Sequence, residues 1–457
     1  MSTYIPLFKH QEATANFIAT HPRVLDMSDP GTGKTRSRLE GYRRNYHGKH
    51  LVVAPLSILR PAWGDDTAKF TGFEYAIAHG SPTKRLAALQ ANVHIVLINP
   101  DGLVWLADMV KKGVVSLKDF TDITIDEFTA FKNRTSKRSK AIGYLINHFK
   151  NRVALSGTPN PKSVLDLWYP AFLVDGGQRL GRNFFHFRSQ VCIPKQIGPR
   201  PDMVKWVDKP EALMMVSNAL ADITIRHKLE ECIDMPEHIE TMLMVDMPRD
   251  IMVKYQILES TARLSLDEGA LTAMHAGVKV QKMLQLLSGA VYDNEGKILK
   301  VHKDRYDLVM DLVEERAQCL VAFNWSHEKD CMTELAAERG FTYGVIDGST
   351  PMTQRGEIVD LFQKGELKLI FAHPQSAGHG LTLTKGTTTI WPSPTYNAEH
   401  FQQFNRRIYR AGQKLRTETI CIAARGTKEE HVYEILSGKR QQMNDLLGIF
   451  NALTKGV

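Results

Sequence analysis

Hydrophobic positions along the chain follow two rhythms, and the changes between them divide it into three parts. Over the first third, short apolar runs recur: "RVLDM", "HLVVAPLSIL", "HIVLINP", "DITIDEF" and "NRVALSGTP". Between them lie stretches such as "TRSRLEGYRRNY", whose pattern predicts a helix. Short apolar strands separated by helices predict a parallel sheet with helices on both faces. From about Pro161 the rhythm changes. "PEALMMVSNALADI" and "AGVKVQKMLQLLSGAV" repeat apolar residues at helical spacing, and few strand candidates are present. Beyond Lys300 the strand-like runs return as "CLVAFNW", "TYGVID", "LKLIFAH", "TTTIWPS" and "ETICIAA". The expected fold class is therefore α/β, with two parallel-sheet domains in tandem and a helical insertion between them. The expected boundaries are 1–165, 166–300 (helical insertions belonging to the two lobes) and 301–457. Nothing reads as a flexible linker, so one compact assembly is expected.

Composition alters this picture little. The densest apolar run, "LVVAPLSIL", is far short of the roughly 18 residues a membrane span requires. The N-terminal "MSTYIPLFKHQ" lacks a charged region followed by an apolar core, so neither export nor a membrane partner is expected. The five cysteines are scattered without a C-x-x-C pair, which argues against a disulfide framework or zinc site and fits a reducing compartment. His47 and His50, in the loop-like "HGKH", read as solvated. The net charge of +8 becomes informative only where basic residues cluster. One stretch does so: "KNRTSKRSK", Lys132 to Lys140, has five basic residues in nine and no acid.

The candidate chemistry begins at "DMSDPGTGKT". A full phosphate-binding loop has the form G-x-x-x-x-G-K-[ST]; here Ser28 stands at the first glycine position. Gly31 and Gly33, around Thr32, let the backbone turn its N–H groups toward phosphate oxygens at a helix N-terminus. Lys34 would reach the β/γ-phosphates and Thr35 would bind Mg²⁺. An ordinary strand-to-helix turn is the competing reading. It weakens at "DITIDEF", where an apolar strand ends in Asp126 and Glu127. Asp126 would hold the Mg²⁺ shell and Glu127 would position the attacking water. In "QQFNRRIYRAGQ", Arg407 and Arg410 are three apart, expected on one helical face. They read either as a basic helix end or as arginine fingers that reach the γ-phosphate from the second α/β unit.

With these residues in place, the chain resembles the superfamily 2 helicase-type ATPases of the Swi/Snf branch, the double-stranded-DNA translocases. The resemblance extends over nearly the whole chain in the family's order. "LFKHQEATANFI" resembles the adenine-sensing segment, with Gln11 as its glutamine. "VVAPLSILRPAW" resembles the segment that meets a DNA backbone. "DEFTAFKNRTSK" resembles the family's Asp-Glu-Ala-His followed by Lys-Asn and Ser. "LSGTPNPKSVLDLWYPAFLV" resembles the Ser/Thr-Gly-Thr-Pro motif and its downstream Leu-Trp, with Ser156 and Thr158 as coupling residues. "VAFNWSHEKDCM", "VIDGSTPMTQRGEIVDLF", "SAGHGLTLT", Gly412-Gln413 and "GTKEEHVYEIL" complete the set. Three departures stand out. Thr129 occupies the usual His position, Asn160-Pro161 replace Ile-Gln, and Arg406 replaces an acid; the R-x-x-R-x-G-Q register favours Arg407 and Arg410 as the fingers.

The resemblance implies two RecA-like domains, use of ATP and Mg²⁺, and tracking along duplex or branched DNA. The work would lie in replication, repair or recombination: fork remodelling, branch migration, strand annealing or protein displacement. Lys132, Asn133, Ser136 and Lys137 are the expected backbone contacts on the first domain. Gly348, Ser349, Ser376 and Gly378 are those on the second, where small residues allow a sugar-phosphate chain to approach closely. Nothing reads as a base-reading module, nuclease or zinc module, so targeting would come from a protein partner or DNA shape. A monomer in a bacterial or phage-infected cytoplasm is expected, or nuclear residence if the source is eukaryotic. The alternatives are a strand-separating DNA or RNA helicase and, from another class, a non-catalytic nucleotide-gated scaffold. No wedge hairpin is legible.

Overall fold

Runs of Val, Ile and Leu without a polar face form strands buried on both sides, because only a covered parallel sheet hides such a run from water. The computed structural model of the chain describes residues 6–159, 163–198, 200, 203–267, 273–292, 297–377 and 381–454. The chain divides into two units, Met1–Asp234 with Lys439–Val457, and Met235–Gly438.

The first unit contains β1 (Arg23–Asp26), β2 (Lys49–Val53), β3 (Tyr75–Ile77), β4 (Ile95–Ile98), β5 (Phe120–Asp126), β6 (Asn151–Leu155), β7 (Cys192–Gln196), β8 (Val204–Asp208) and β9 (Thr224–Ile225). Seven of these make one parallel sheet in the order β3-β4-β2-β5-β6-β1-β9, while β7 and β8 pair as an antiparallel hairpin. Successive residues of a strand face opposite sides of the sheet. Leu51, Val53, Val96 and Ile98 accordingly enter one core, and Val52, Leu97, Val153 and Leu155 the other. Helix α1 (Lys9–Thr20) precedes β1, and helix α2 (Lys34–Arg44) follows it. Met443, Leu446, Leu447 and Phe450, from the last helix, complete the first of these cores.

The second unit contains β10 (His238–Val245), β11 (Ala290–Tyr292), β12 (Ile298–Lys300), β13 (Cys319–Ala322), β14 (Tyr343–Ile346), β15 (Leu369–Ala372), β16 (Thr388–Trp391) and β17 (Thr417–Ala424). Its sheet is again parallel, ordered β10-β17-β16-β13-β15-β14, with β11 and β12 as a separate hairpin. Arg305 donates to both oxygens of buried Glu429 at 2.8 Å, tying the helix Asp304–Glu314 to the start of the last helix. The expected fold class, two parallel-sheet α/β domains, is the architecture observed.

Three local readings differ from the sequence expectation. The segment 166–300, read as helical, holds strands as well as helices. The longest, β10, reads "HIETMLMV"; as an edge strand it is exposed in part and needs no two-sided apolar run. His50 is not solvated. It lies in β2, fully buried, and its ring hydrogen-bonds the Thr124 hydroxyl at 2.7 Å. Burial and the nearby Arg38 guanidinium push its pKa well below the ordinary value, so the ring is neutral. A hairpin, β7–β8, is present where none was legible.

Candidate functional site

Parallel strands deliver their C-terminal ends to one edge of a sheet, and there the first unit gathers most of the expected ATP-site residues. Leu155, the last residue of β6, is in register with Asp26 on one side and Asp126 on the other. The glycine loop thus leaves β1, Asp126-Glu127 leave β5, and Ser156 and Thr158 leave the strand between them.

The loop is built by its own residues. Gly31 and Gly33 take φ of 93° and 85°, which a side chain disfavours, and Gly33 caps α2. A Cβ on Gly33 would also collide with the Gln11 amide. Gln11 Nε2 donates to the Thr32 carbonyl at 3.1 Å, and His10 Nε2 meets the same oxygen at 2.8 Å. Lys34 Nζ donates to the carbonyls of Ser28 and Asp29 at 2.8 and 3.1 Å, so its ammonium is held over the loop. Thr35 follows as the second residue of α2.

The departure at Ser28 has a physical reason. Its hydroxyl accepts the His227 N–H at 3.1 Å. Beside it the Asp29 carboxylate receives Arg226 Nη1 at 2.6 Å and the Leu229 N–H at 3.0 Å. The segment that leaves β9 therefore braces the loop from outside. Sequence reading missed this brace, because its partners lie about 200 positions apart.

Asp126 is buried, and the indole N–H of buried Trp63 donates to its Oδ2 at 2.8 Å. Burial and the adjacent Glu127 charge push its pKa up to about 7, against the indole hydrogen bond and the Lys34 charge. Glu127 has φ 54°, the one non-glycine positive φ among the described residues. Strain of this kind is concentrated at functional sites. Ser156 Oγ donates to Glu127 Oε2 at 3.2 Å and accepts the Thr158 N–H at 3.2 Å. Gly157 has no room for a side chain, since a Cβ there would come within 2.5 Å of Pro30 Cδ in the loop. Trp63 and Gly157 were also missed; the first reads as core, the second as one letter of a motif.

These donors fit a hard cation. Mg²⁺ keeps several waters and needs only one or two carboxylates, and Asp126 with the Thr35 hydroxyl supplies such a set. A group of three or more His, Cys, Asp or Glu arranged for a metal is absent among the described residues.

In the second unit, Arg407 and Arg410 do not share a helical face. The helix ends at Asn405, where the Arg407 N–H turns to the Phe404 carbonyl at 3.0 Å, and the Arg407 carbonyl beyond it accepts the Leu383 N–H at 3.0 Å. Both guanidinium groups nevertheless donate to the Leu381 carbonyl, at 3.2 and 2.8 Å.

The expected nucleic-acid residues fall into two groups. Lys132 and Asn133 precede a helix, Lys137–Leu145, whose N-cap is Ser136 and whose first residue is Lys137. Ser136 accepts the Ser139 N–H at 3.2 Å, and Asn133 Oδ1 accepts the Thr135 N–H at 3.1 Å, so both shape the turn. Ser349 donates from N and Oγ to Asp347 Oδ1 at 2.9 and 2.6 Å, which holds that carboxyl below its ordinary pKa. Gly348 has open space where a Cβ would stand. Arg355 staples this turn to Ser376, donating to the carbonyls of Asp347 at 2.6 Å and Ser376 at 3.1 Å. Gly378 and Asn160-Pro161 lie outside the described residues.

Residues 10–291 match the family SNF2-related domain, and residues 304–412 match the Helicase conserved C-terminal domain. Protein p41 of Acyrthosiphon pisum secondary endosymbiont phage 1 is 30% identical, over 98% of this chain and 98% of its own length. The DNA annealing helicase and endonuclease ZRANB3 of Bos taurus is 24% identical over 92% of this chain, which spans only 38% of that protein. The solved SWI2/SNF2 ATPase core of Sulfolobus solfataricus, in complex with dsDNA, aligns at 20% identity and a TM-score of 0.43, over 100% of this chain and 96% of that one.

Proposed function

The chain belongs to the SNF2-related family, and from that premise we propose that it is an ATP-hydrolysing motor that tracks on duplex DNA. One observation carries the reading: three strand ends in register present a glycine loop, an Asp-Glu pair and a Ser-Gly-Thr turn side by side. In the proposed cycle, ATP phosphates take the backbone N–H groups around Gly31 and Gly33. Lys34 exchanges the Ser28 and Asp29 carbonyls for the β/γ-phosphates. Thr35 and Asp126 would hold Mg²⁺, which would supply charge neutralisation for the phosphates. Glu127 accepts a hydrogen bond from the attacking water, oriented by its contact with Ser156. Arg407 and Arg410 are assigned to stabilising the charge on the phosphoryl group as it transfers to water.

DNA as the track is supported by the basic run Lys132–Lys140 and by the small-residue turns stapled by Arg355. ZRANB3 is named a DNA annealing helicase, which supports work on DNA strands that are brought together; the proposed setting is replication, repair or recombination. A second reading, strand separation, is favoured by hairpin β7–β8. The test is ATP turnover with and without duplex DNA, beside strand-displacement and triplex-displacement assays. A duplex motor shows turnover stimulated several-fold, weakening with salt, and displaces a triplex strand. Turnover indifferent to every nucleic acid overturns the reading.

A further inference from the structure

Hairpin β7–β8 and the helix Phe184–Val191 before it have no part in the ATP site, and their surface is an unusual one. Pairing sets Cys192 opposite Asp208, Pro194 opposite Trp206 and Gln196 opposite Val204 on one face. That face is anchored: Cys192 is buried and Trp206 packs on the first unit's core. The other face places Ile193 opposite Val207, 50% and 38% exposed, and Lys195 opposite Lys205, both exposed. Neither lysine has a carboxylate partner among the described residues. Like charges directly opposite in a ladder destabilise it. A bound polyanion removes that cost.

Two further features set this face in context. Arg188 lies 4.0 Å from the Trp206 ring centroid and 5.2 Å from that of Phe185, which is 56% exposed. Arg134, from the basic run Lys132–Lys140, lies 5.2 Å from the rings of both Phe184 and Phe185. Cations and aromatic rings therefore run from the basic run to the base of the hairpin, where they meet Trp206 on its anchored face, while Phe185 stays exposed beside it. At the hairpin's base, Asp208 accepts from Ser163 Oγ at 2.5 Å and the Val164 N–H at 3.0 Å, shortly after the Ser156–Thr158 turn.

We propose that this hairpin is a further nucleic-acid contact, one that seats a junction between paired and unpaired DNA. The inference rests on the DNA-motor reading and adds the substrate feature it recognises. Lys195 and Lys205 meet phosphates, which position without reading sequence. Phe185 and the Ile193–Val207 pair meet base faces, which an intact duplex hides and a junction exposes; aromatic and apolar side chains of this kind stack on bases or wedge between steps.

The test uses the full chain with fluorescent blunt and forked duplexes of equal length, titrated across a salt series. The Lys195→Ala/Lys205→Ala variant is expected to bind the fork about tenfold more weakly. Its log–log salt slope is expected to flatten by about 1.4 to 1.8, the share of two phosphates. Its melting temperature is not lowered, because a repulsion has been removed. The Ile193→Ser/Val207→Ser variant is expected to lose affinity for the fork and keep it for the blunt duplex. The charge-matched Lys112→Ala/Lys118→Ala control binds as the unaltered chain does. Unchanged fork affinity and slope in the hairpin lysine variant overturn the proposal, and so does an equal loss in the control. Failure of the motor reading is seen separately, in DNA-stimulated turnover of the unaltered chain.

Discussion

Strand β5 buries two aspartates on one face, and the two ends of that strand treat them in opposite ways. Asp122 receives Arg38 at 2.8 Å, the Thr121 hydroxyl at 2.9 Å and the Asn151 amide at 3.1 Å. Asp126, four positions on, receives an indole N–H and has another carboxylate as its next residue. The first charge is matched and holds α2 to the sheet. The second is left short of compensation, and its pKa of about 7 records the deficit. The same residue type on the same face is therefore structural where a guanidinium meets it and poised for a cation where none does.

The largest expected effect lies at the two arginines of the second unit. Arg407→Ala or Arg410→Ala should lower DNA-stimulated turnover by about 10³ to 10⁵ while ATP still binds, measured by steady-state kinetics and nucleotide titration. Next comes the matched aspartate. Asp122→Asn leaves the Arg38 guanidinium buried without its counter-charge, and should cost about 3–5 kcal/mol in denaturant unfolding. Asp126→Asn should cost no such amount, because it removes an uncompensated charge. Its smaller signature is a pH dependence. Folding raises the Asp126 pKa from 3.8 to about 7, so between those values the folded chain keeps a proton that the unfolded chain has lost. Stability of the unaltered chain from this group is fully present below about pH 4 and falls as pH rises toward 7. The melting temperature of Asp126→Asn relative to the unaltered chain should therefore climb across that window. A gap that is flat or shrinks removes the contrast.

Much of the fold was legible because two-sided apolar runs have few other ways to bury themselves. All five expected strands of the first domain and all five of the second lie within their sheets. Less regular elements were not legible. The edge strand β10 and hairpin β7–β8 carry polar residues and lack the apolar signature, and His50 looked solvated because its polar partners, Arg38 and Thr124, are distant in sequence. The candidate site divides the same way. Lys34, Asp126, Glu127 and Ser156 belong to local motifs that can be read from neighbours alone. The Arg226–Asp29 brace, the Trp63 hydrogen bond and the Gly157–Pro30 approach exist only once distant strands are set in register. The non-helical path at Arg407 escaped for a related reason, since the Leu383 N–H that meets its carbonyl lies 24 positions earlier.

The account depends on Glu127 acting on water at an ATP bound beside it. The most direct measurement is ATP affinity and duplex-stimulated turnover of Glu127→Gln, compared with the unaltered chain. The account predicts near-unaltered ATP affinity and turnover lower by about 10² to 10⁴, the contribution of a positioned general base. Retained turnover in that variant would contradict it.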